Sequence, residues 1–254
     1  MNALEDFEYV KIGTRWVKDP SGIYPKVPWY DFDDVDFAME NAMVATGWPF
    51  LNQDREYEDR YAVDIAKMLI KFAVEPDYVE LPTSVQGQTT FYTDGAVKIE
   101  ISDQLEQQAQ KNPKRIVRLR STLAHELSHY LLHRKMFQNT LKESKILCRE
   151  EDMAALPISD KPMGGPLWIE QQANRGMAAL LMPRRLITKL AGSCFYPFED
   201  DRCIEPDTPR YDNLIEDLSD AFLVSRELAR YRVEQLRFEA TKALKKVTQG
   251  KVHA

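Results

Sequence analysis

Cysteine is almost missing from this chain: Cys148, Cys194 and Cys203 are the only three in 254 residues. A sparse, odd-numbered set cannot build the bridged framework of a small secreted domain and suits a reducing compartment. Cys194 and Cys203 could pair, but idle thiols are the simpler reading. Long apolar runs are missing too. None approaches the roughly 20 residues that cross a bilayer, and the opening "MNALEDFEYV" has no basic stretch followed by an apolar one, the layout of a secretory signal. The expectation is a cytoplasmic protein with no membrane partner. An overall excess of positive charge is also lacking. The net charge of −6 disfavours direct binding to nucleic acid through global attraction. Finally, histidine is scarce, at four residues, and no internal repeat or low-complexity tract interrupts the chain.

What remains is a soluble composition, 44% hydrophobic with 10% aromatic residues, enough to bury a substantial core. Charge is unevenly spread. Arg226–Lys251 holds eight Lys or Arg against three Glu, a local +5 that leaves −11 for the rest. Such a basic tail reads first as a solvated helical face and second as a partner surface. Residues 11–30, with three prolines and two glycines, read as an irregular arm. "DFDDVDFAMENAMVATG" reads as a short helix begun by aspartates. Tyr61, Ile65, Met68, Leu69 and Phe72 recur at helical spacing, giving a helix over 55–73. Between Thr89 and Ser102, Asp94-Gly95 divides two strand-like runs, and Val97, Ile99 and Ile101 alternate with polar residues: a hairpin. Asn112 and Pro113 suit the cap and first turn of a long helix. A weakly patterned connection follows over 134–167, then a helix over about 167–181, and a helical stretch over about 213–247 broken near 223–225.

Three of the four histidines crowd into "TLAHELSHYLLH". His125-Glu126-Leu127-Ser128-His129 is an H-E-x-x-H. Imidazoles at i and i+4 on a helix are about 40° apart around the axis and one turn apart along it, so both can reach one ion. Zinc asks for such convergence, at about 2.0–2.1 Å per nitrogen. Glu126 lies about 100° from His125, at the edge of that face, where a general base can address a water held beside the metal. Ile116, Leu119, Leu123, Ala124, Leu127 and Leu131 fall on the opposite side as a core-facing stripe, with Arg120 unexplained among them. His133 is about 12 Å along the axis from His125, too far to share its ion without unwinding the helix. It is read as an outer hydrogen-bonding partner or a surface residue. The metzincin pattern fails, because Leu132 and Lys135 stand where it requires Gly and His. A third ligand must come from another segment. In "WIEQQANRGMAALLMP", Glu170 shares a helical face with Asn174, Met177 and Leu181, so its carboxylate points inward. A metal gives that buried charge a partner, and Asn174 can steady a ligand histidine through its second ring nitrogen.

"RLRSTLAHELSHYLLH" (118–133) followed by "IEQQANRGMAALLMP" (169–183) resembles the ImmA/IrrE-type metallopeptidases, a gluzincin-like family. The hairpin before the histidine helix, "VELPTSV", and "LSDAFLVSRELARYRVEQL" fit the same resemblance, which spans about 55–240. It implies an α+β fold: a zincin-like core with a small antiparallel sheet on the active-site helix, plus a helical C-terminal subdomain. It implies His125, His129 and Glu170 as Zn2+ ligands, Glu126 as catalytic acid/base, and a helix-turn-helix repressor as protein substrate, in systems tied to mobile elements or stress. The divisions expected are an arm and short helix over 1–50, a metallopeptidase domain over 51–192 with an insertion at about 134–167, and a helical subdomain over 193–254. The 40 residues between His129 and Glu170 exceed the family's spacing and leave room for a lid or partner surface.

The functional expectation is a zinc-dependent endopeptidase, with the peptide added as a strand along the 89–102 hairpin. Tyr92, Tyr130 and His133 are candidates for stabilising the oxyanion. Two other readings stand beside it. One is a zinc-containing, toxin-like module that binds a regulator without cutting it. The other is a DNA-binding regulator using 218–236, with Arg226 and Arg230 on its second helix.

Overall fold

The twenty residues from Asn112 to Leu131 show how local chemistry sets the frame. The Asn112 side chain accepts from the Lys114 backbone N–H at 3.0 Å, Pro113 fills the first turn, and a 25-residue helix runs on to Phe137. The computed structural model describes residues 15–48, 61–138, 143–149, 158, 164–192 and 204–251. In chain order these form β1 (Arg15–Lys18), β2 (Lys26–Trp29), α1 (Phe32–Ala45), α2 (Ile65–Lys71), β3 (Asp77–Val79), β4 (Val85–Phe91), β5 (Val97–Ser102), α3 (Asp103–Lys111), α4 (Pro113–Phe137), β6 (Ser144–Arg149), α5 (Gly165–Leu181), α6 (Arg184–Ala191), α7 (Pro209–Phe222) and α8 (Arg226–Lys251). The chain is thus mixed helix and sheet, and no helix among the described residues is long and apolar enough to cross a membrane.

A four-stranded sheet, ordered β3-β5-β4-β6, lies over α4. It is mixed rather than wholly antiparallel as expected, because the short β3 joins β5 in parallel. β4 and β5 form the expected hairpin, with Thr89 opposite Ile99. The fourth strand was not anticipated. β6 comes from within the 134–167 connection and pairs antiparallel with β4 from Phe91↔Ser144 to Val85↔Arg149. Both flanks of β4 are therefore occupied, and β3 covers the outer side of β5 from Glu100 to Ser102. Within the described residues β6 and the short β3 are the two edge strands of this sheet.

The supposedly irregular arm is a two-stranded ribbon, β1 with β2. Pro28 sits there without conflict, since the ribbon has outer edges where a missing N–H costs nothing. Asp19, buried, gathers Ser21 N at 2.8 Å, Tyr24 N at 2.9 Å and Gly165 N at 2.8 Å, pinning the ribbon's turn to the start of α5. The Trp29 and Trp168 rings stack at 5.2 Å. The helix expected over 55–73 starts at Ile65 within the described residues, because Asp64 caps Lys67 N and Tyr61 N turns away to Ala221 O.

One apolar cluster unites these parts: Met39, Phe72, Leu127, Leu180, Ile215 and Phe222 all belong to it. On α4, Leu123, Ala124, Leu127 and Leu131 are buried as expected, whereas Ile116 is 40% exposed, lying beyond the layer that packs on the helix. Arg120, in that stripe, donates to Val63 O at 3.0 Å and to Phe222 O at 3.4 Å. It thereby satisfies the Phe222 carbonyl, left open at the end of α7, together with the Val63 carbonyl ahead of α2. The break between α7 and α8 falls at Leu223, which adopts φ 53°. Cys194 and Cys203 lie outside the described residues.

Candidate metal centre

Helix α5 approaches α4 closely because Gly176 faces Ser128; a Cβ at 176 would meet Ser128 Oγ at 2.7 Å. That approach brings Glu170 and Asn174, one turn apart on α5, against His125 and His129, one turn apart on α4. His125 Nε2 is 2.9 Å from His129 Nε2 and 3.1 Å from Glu170 Oε2, and His129 Nε2 is 3.7 Å from the same oxygen. These spacings straddle the ~3.3 Å that tetrahedral zinc bonds of 2.0–2.1 Å impose between ligand atoms. Both histidines are fully buried, and the Glu170 side chain is 13% exposed. His125, His129 and Glu170 thus form a group that could hold a metal ion.

Hydrogen bonds behind the histidines decide where their protons sit. The Pro28 carbonyl can only accept, and takes the Gln172 side-chain N–H at 2.8 Å beside the Trp168 indole N–H at 2.9 Å. Gln172 must therefore turn its oxygen to His133, so the His133 Nε2–H donates to Oε1 at 2.9 Å. His133 Nδ1 then carries a lone pair, which accepts the His129 Nδ1–H at 3.1 Å. Asn174 Oδ1 accepts from His125 Nδ1 at 3.0 Å. In their neutral forms both ligand histidines therefore present Nε2 lone pairs. Two lone pairs and a carboxylate oxygen at such distances repel unless a proton or a metal cation lies between them, and a metal held there would engage all three.

The pKa values follow from the same surroundings. Burial opposes protonation of His125, but Glu170 outweighs it and raises its pKa, whereas burial prevails at His129 and lowers it. His133, buried and beside His129, is pushed down to about 3 and stays neutral, as the proton chain requires. Burial works against the charge on Glu170, yet His129 and His125 hold its carboxyl below the usual range.

Glu126 is fully buried at the edge of this group, beneath the sheet. Thr89 Oγ1 on β4 donates to its Oε2 at 2.5 Å, and the Cys148 thiol hydrogen-bonds the same carboxylate. Burial raises its pKa to about 7, against the opposing pull of His125 and Thr89. Gly87 makes room for it, since a Cβ there would meet Glu126 Oε1 at 2.8 Å. Cys148, opposite Gly87 in the β4–β6 ladder, completes a second group of donors with His125 and Glu126.

No family model, curated protein or solved structure matches this chain.

Every residue singled out for the site is drawn together, with His133 as an outer partner rather than a surface residue. Of the three oxyanion candidates, Tyr130 and His133 have their polar atoms engaged by other partners. Tyr130 is buried against Phe72, with its hydroxyl accepting from Arg134 at 3.1 Å, and His133 is held by Gln172. Tyr92 sits in the hairpin turn, where its N–H donates to Ala96 O at 2.9 Å. Sequence patterning missed Gln172, Pro28, Thr89 and Cys148. Gln172 follows Glu170 by two positions, about 200° around the helix, so face periodicity passes over it. The others act from strands whose pairing no local pattern discloses.

A cavity of about 370 Å³ leads to Glu170 between β6 and the first turns of α5, with Tyr24, Lys145, Ile146 and Leu167 among its walls.

Proposed function

We propose that this protein is a zinc-dependent endopeptidase of the ImmA/IrrE type, with His125, His129 and Glu170 as metal ligands and Glu126 as general base. The observation that carries the reading is the convergence of two imidazole nitrogens and one carboxylate oxygen, with each imidazole oriented by a partner behind it. Those donors fit zinc, whose structural chemistry favours imidazole nitrogen and carboxylate oxygen. Zinc bound there would supply Lewis acidity toward a peptide carbonyl and lower the pKa of water toward about 7.

The chain's own residues account for the remaining steps. Glu126, held by Thr89, takes a proton from the attacking water and returns it to the departing amine nitrogen. A pKa near 7 suits both halves of that exchange. The substrate chain approaches through the cavity beside Glu170. A peptide joining the sheet meets the open side of β6, where main-chain pairing holds it with little dependence on side chains. A repressor-type protein in the cytoplasm is the substrate class to try first, on the strength of the motif resemblance.

Incubating a candidate repressor with wild-type protein and with Glu126→Ala tests the chemistry. Metal-dependent cleavage by wild type alone is expected. Undiminished cleavage by Glu126→Ala refutes the assigned role. A stable complex with no cut at all favours the toxin-like binding module instead. Arg226 and Arg230, the cations of the DNA-binding reading, sit in exposed pairs with Glu216 and Asp212, each at 2.8 Å.

A further inference from the structure

We propose that the Glu126 carboxylate and the Cys148 thiol form a second position for a thiophilic divalent cation, adjacent to the His125–His129–Glu170 centre, and that filling it withdraws Glu126 from proton transfer. The inference rests on the metal-centre reading given above. Donor atoms of His125, Glu126 and Cys148 all lie within 4.8 Å of one another, as do those of His125, His129 and Glu170. His125 is common to both groups, and its bare nitrogen has one lone pair. With the imidazole committed to the first ion, a neighbouring ion finds the Glu126 carboxylate and the Cys148 sulfur as protein ligands, and solvent oxygen completes its shell.

Two further features point to a cation here. The Cys148 thiol hydrogen-bonds the fully buried Glu126 carboxylate, so a cation that takes the place of the thiol proton meets both donors already facing each other. Glu126 lies over Gly87, and Cys148 stands directly opposite Gly87 in the antiparallel ladder, so the thiol projects on the same side as the carboxylate. The soft thiolate selects ions such as zinc or cadmium over magnesium or calcium. Binding exchanges the thiol proton for the metal and releases it to solvent. In effect, excess thiophilic metal switches off a loaded enzyme by occupying its base.

Zinc-loaded full-length protein titrated with Cd2+ tests this. Wild type is expected to take up one cadmium per chain while retaining its zinc, with a thiolate-to-cadmium absorption band rising in step. Cys148→Ser and Cys148→Ala are expected to keep the zinc, which reports an intact first centre. They lose the saturable band and bind cadmium weaker by on the order of a hundredfold, the scale of losing a determinant of metal affinity. Any absorption left in these variants measures Cys194 and Cys203. Unchanged cadmium affinity in both variants, or displacement of zinc by cadmium in wild type, overturns the inference. A wild-type chain that never retained zinc sinks the underlying metal-centre reading instead.

Discussion

Replacing Gln172 by leucine removes the group that sets the proton positions behind the metal centre. The His133 Nε2–H, now bonded to Gln172 Oε1 at 2.9 Å, loses its acceptor in a fully buried position. Leaving it unpaired costs about 1–3 kcal/mol. His133 can escape that cost by moving its proton to Nδ1, but Nδ1 lies 3.1 Å from His129 Nδ1. Two N–H groups cannot face each other there, so His129 shifts its proton to Nε2, the ligand atom. Either outcome weakens the metal centre, by roughly 10- to 100-fold as outer-partner losses do, equivalent to about 1.4–2.8 kcal/mol. Competition with a chelator of known affinity reads this directly, and melting with and without zinc separates it from general destabilisation. Gln172→Glu supplies an acceptor for His133 while losing the donor to Pro28. It should hold zinc nearly as tightly as wild type in a less stable apo-protein. Zinc affinity in Gln172→Leu within threefold of wild type refutes the proton chain.

Other outcomes follow from the same structure. Glu126→Gln keeps the metal ligands and should retain zinc while cleavage falls by about 10²–10⁴, the usual worth of a general base; metal content measured beside turnover checks both. Arg120→Met strands the Val63 and Phe222 carbonyls and should lower stability by about 1–3 kcal/mol with no change in zinc stoichiometry, read by urea unfolding. Glu239 has its pKa raised to about 8 by burial and by Asp36 beside it. The folded state therefore binds more protons than the unfolded one between about 4.5 and 8, and stability falls as pH rises through that window. Glu239→Gln should flatten that slope, which melting temperatures across pH 4–9 would reveal.

The α4 frame was legible because its signals are local: Asn112 and Pro113 start the helix, and i, i+4 spacing places His125 and His129 together. Glu170 and Asn174 were legible for a similar reason, one inward face on a second helix. The hairpin turn also announced itself in Asp94-Gly95. What escaped depends on distant pairing. Ser144–Arg149 carries no clean alternation, and it becomes a strand only because β4 offers it a ladder. Likewise the ribbon over 15–29 looked irregular from its prolines, yet Asp19 and Pro28 tie it to α5 across more than 130 positions. Arg120 seemed misplaced in an apolar stripe until Val63 and Phe222 provided acceptors that no spacing rule could name. Long-range hydrogen bonds, rather than helix faces, mark the limit of what this sequence discloses.

The most direct measurement is the metal content of extensively dialysed protein after incubation with stoichiometric zinc. Wild type should hold one zinc per chain, and His125→Ala, His129→Ala and Glu170→Ala should each hold far less while keeping their helical content. Equal zinc retention in wild type and all three variants, or none in a folded wild type, would contradict the central claim.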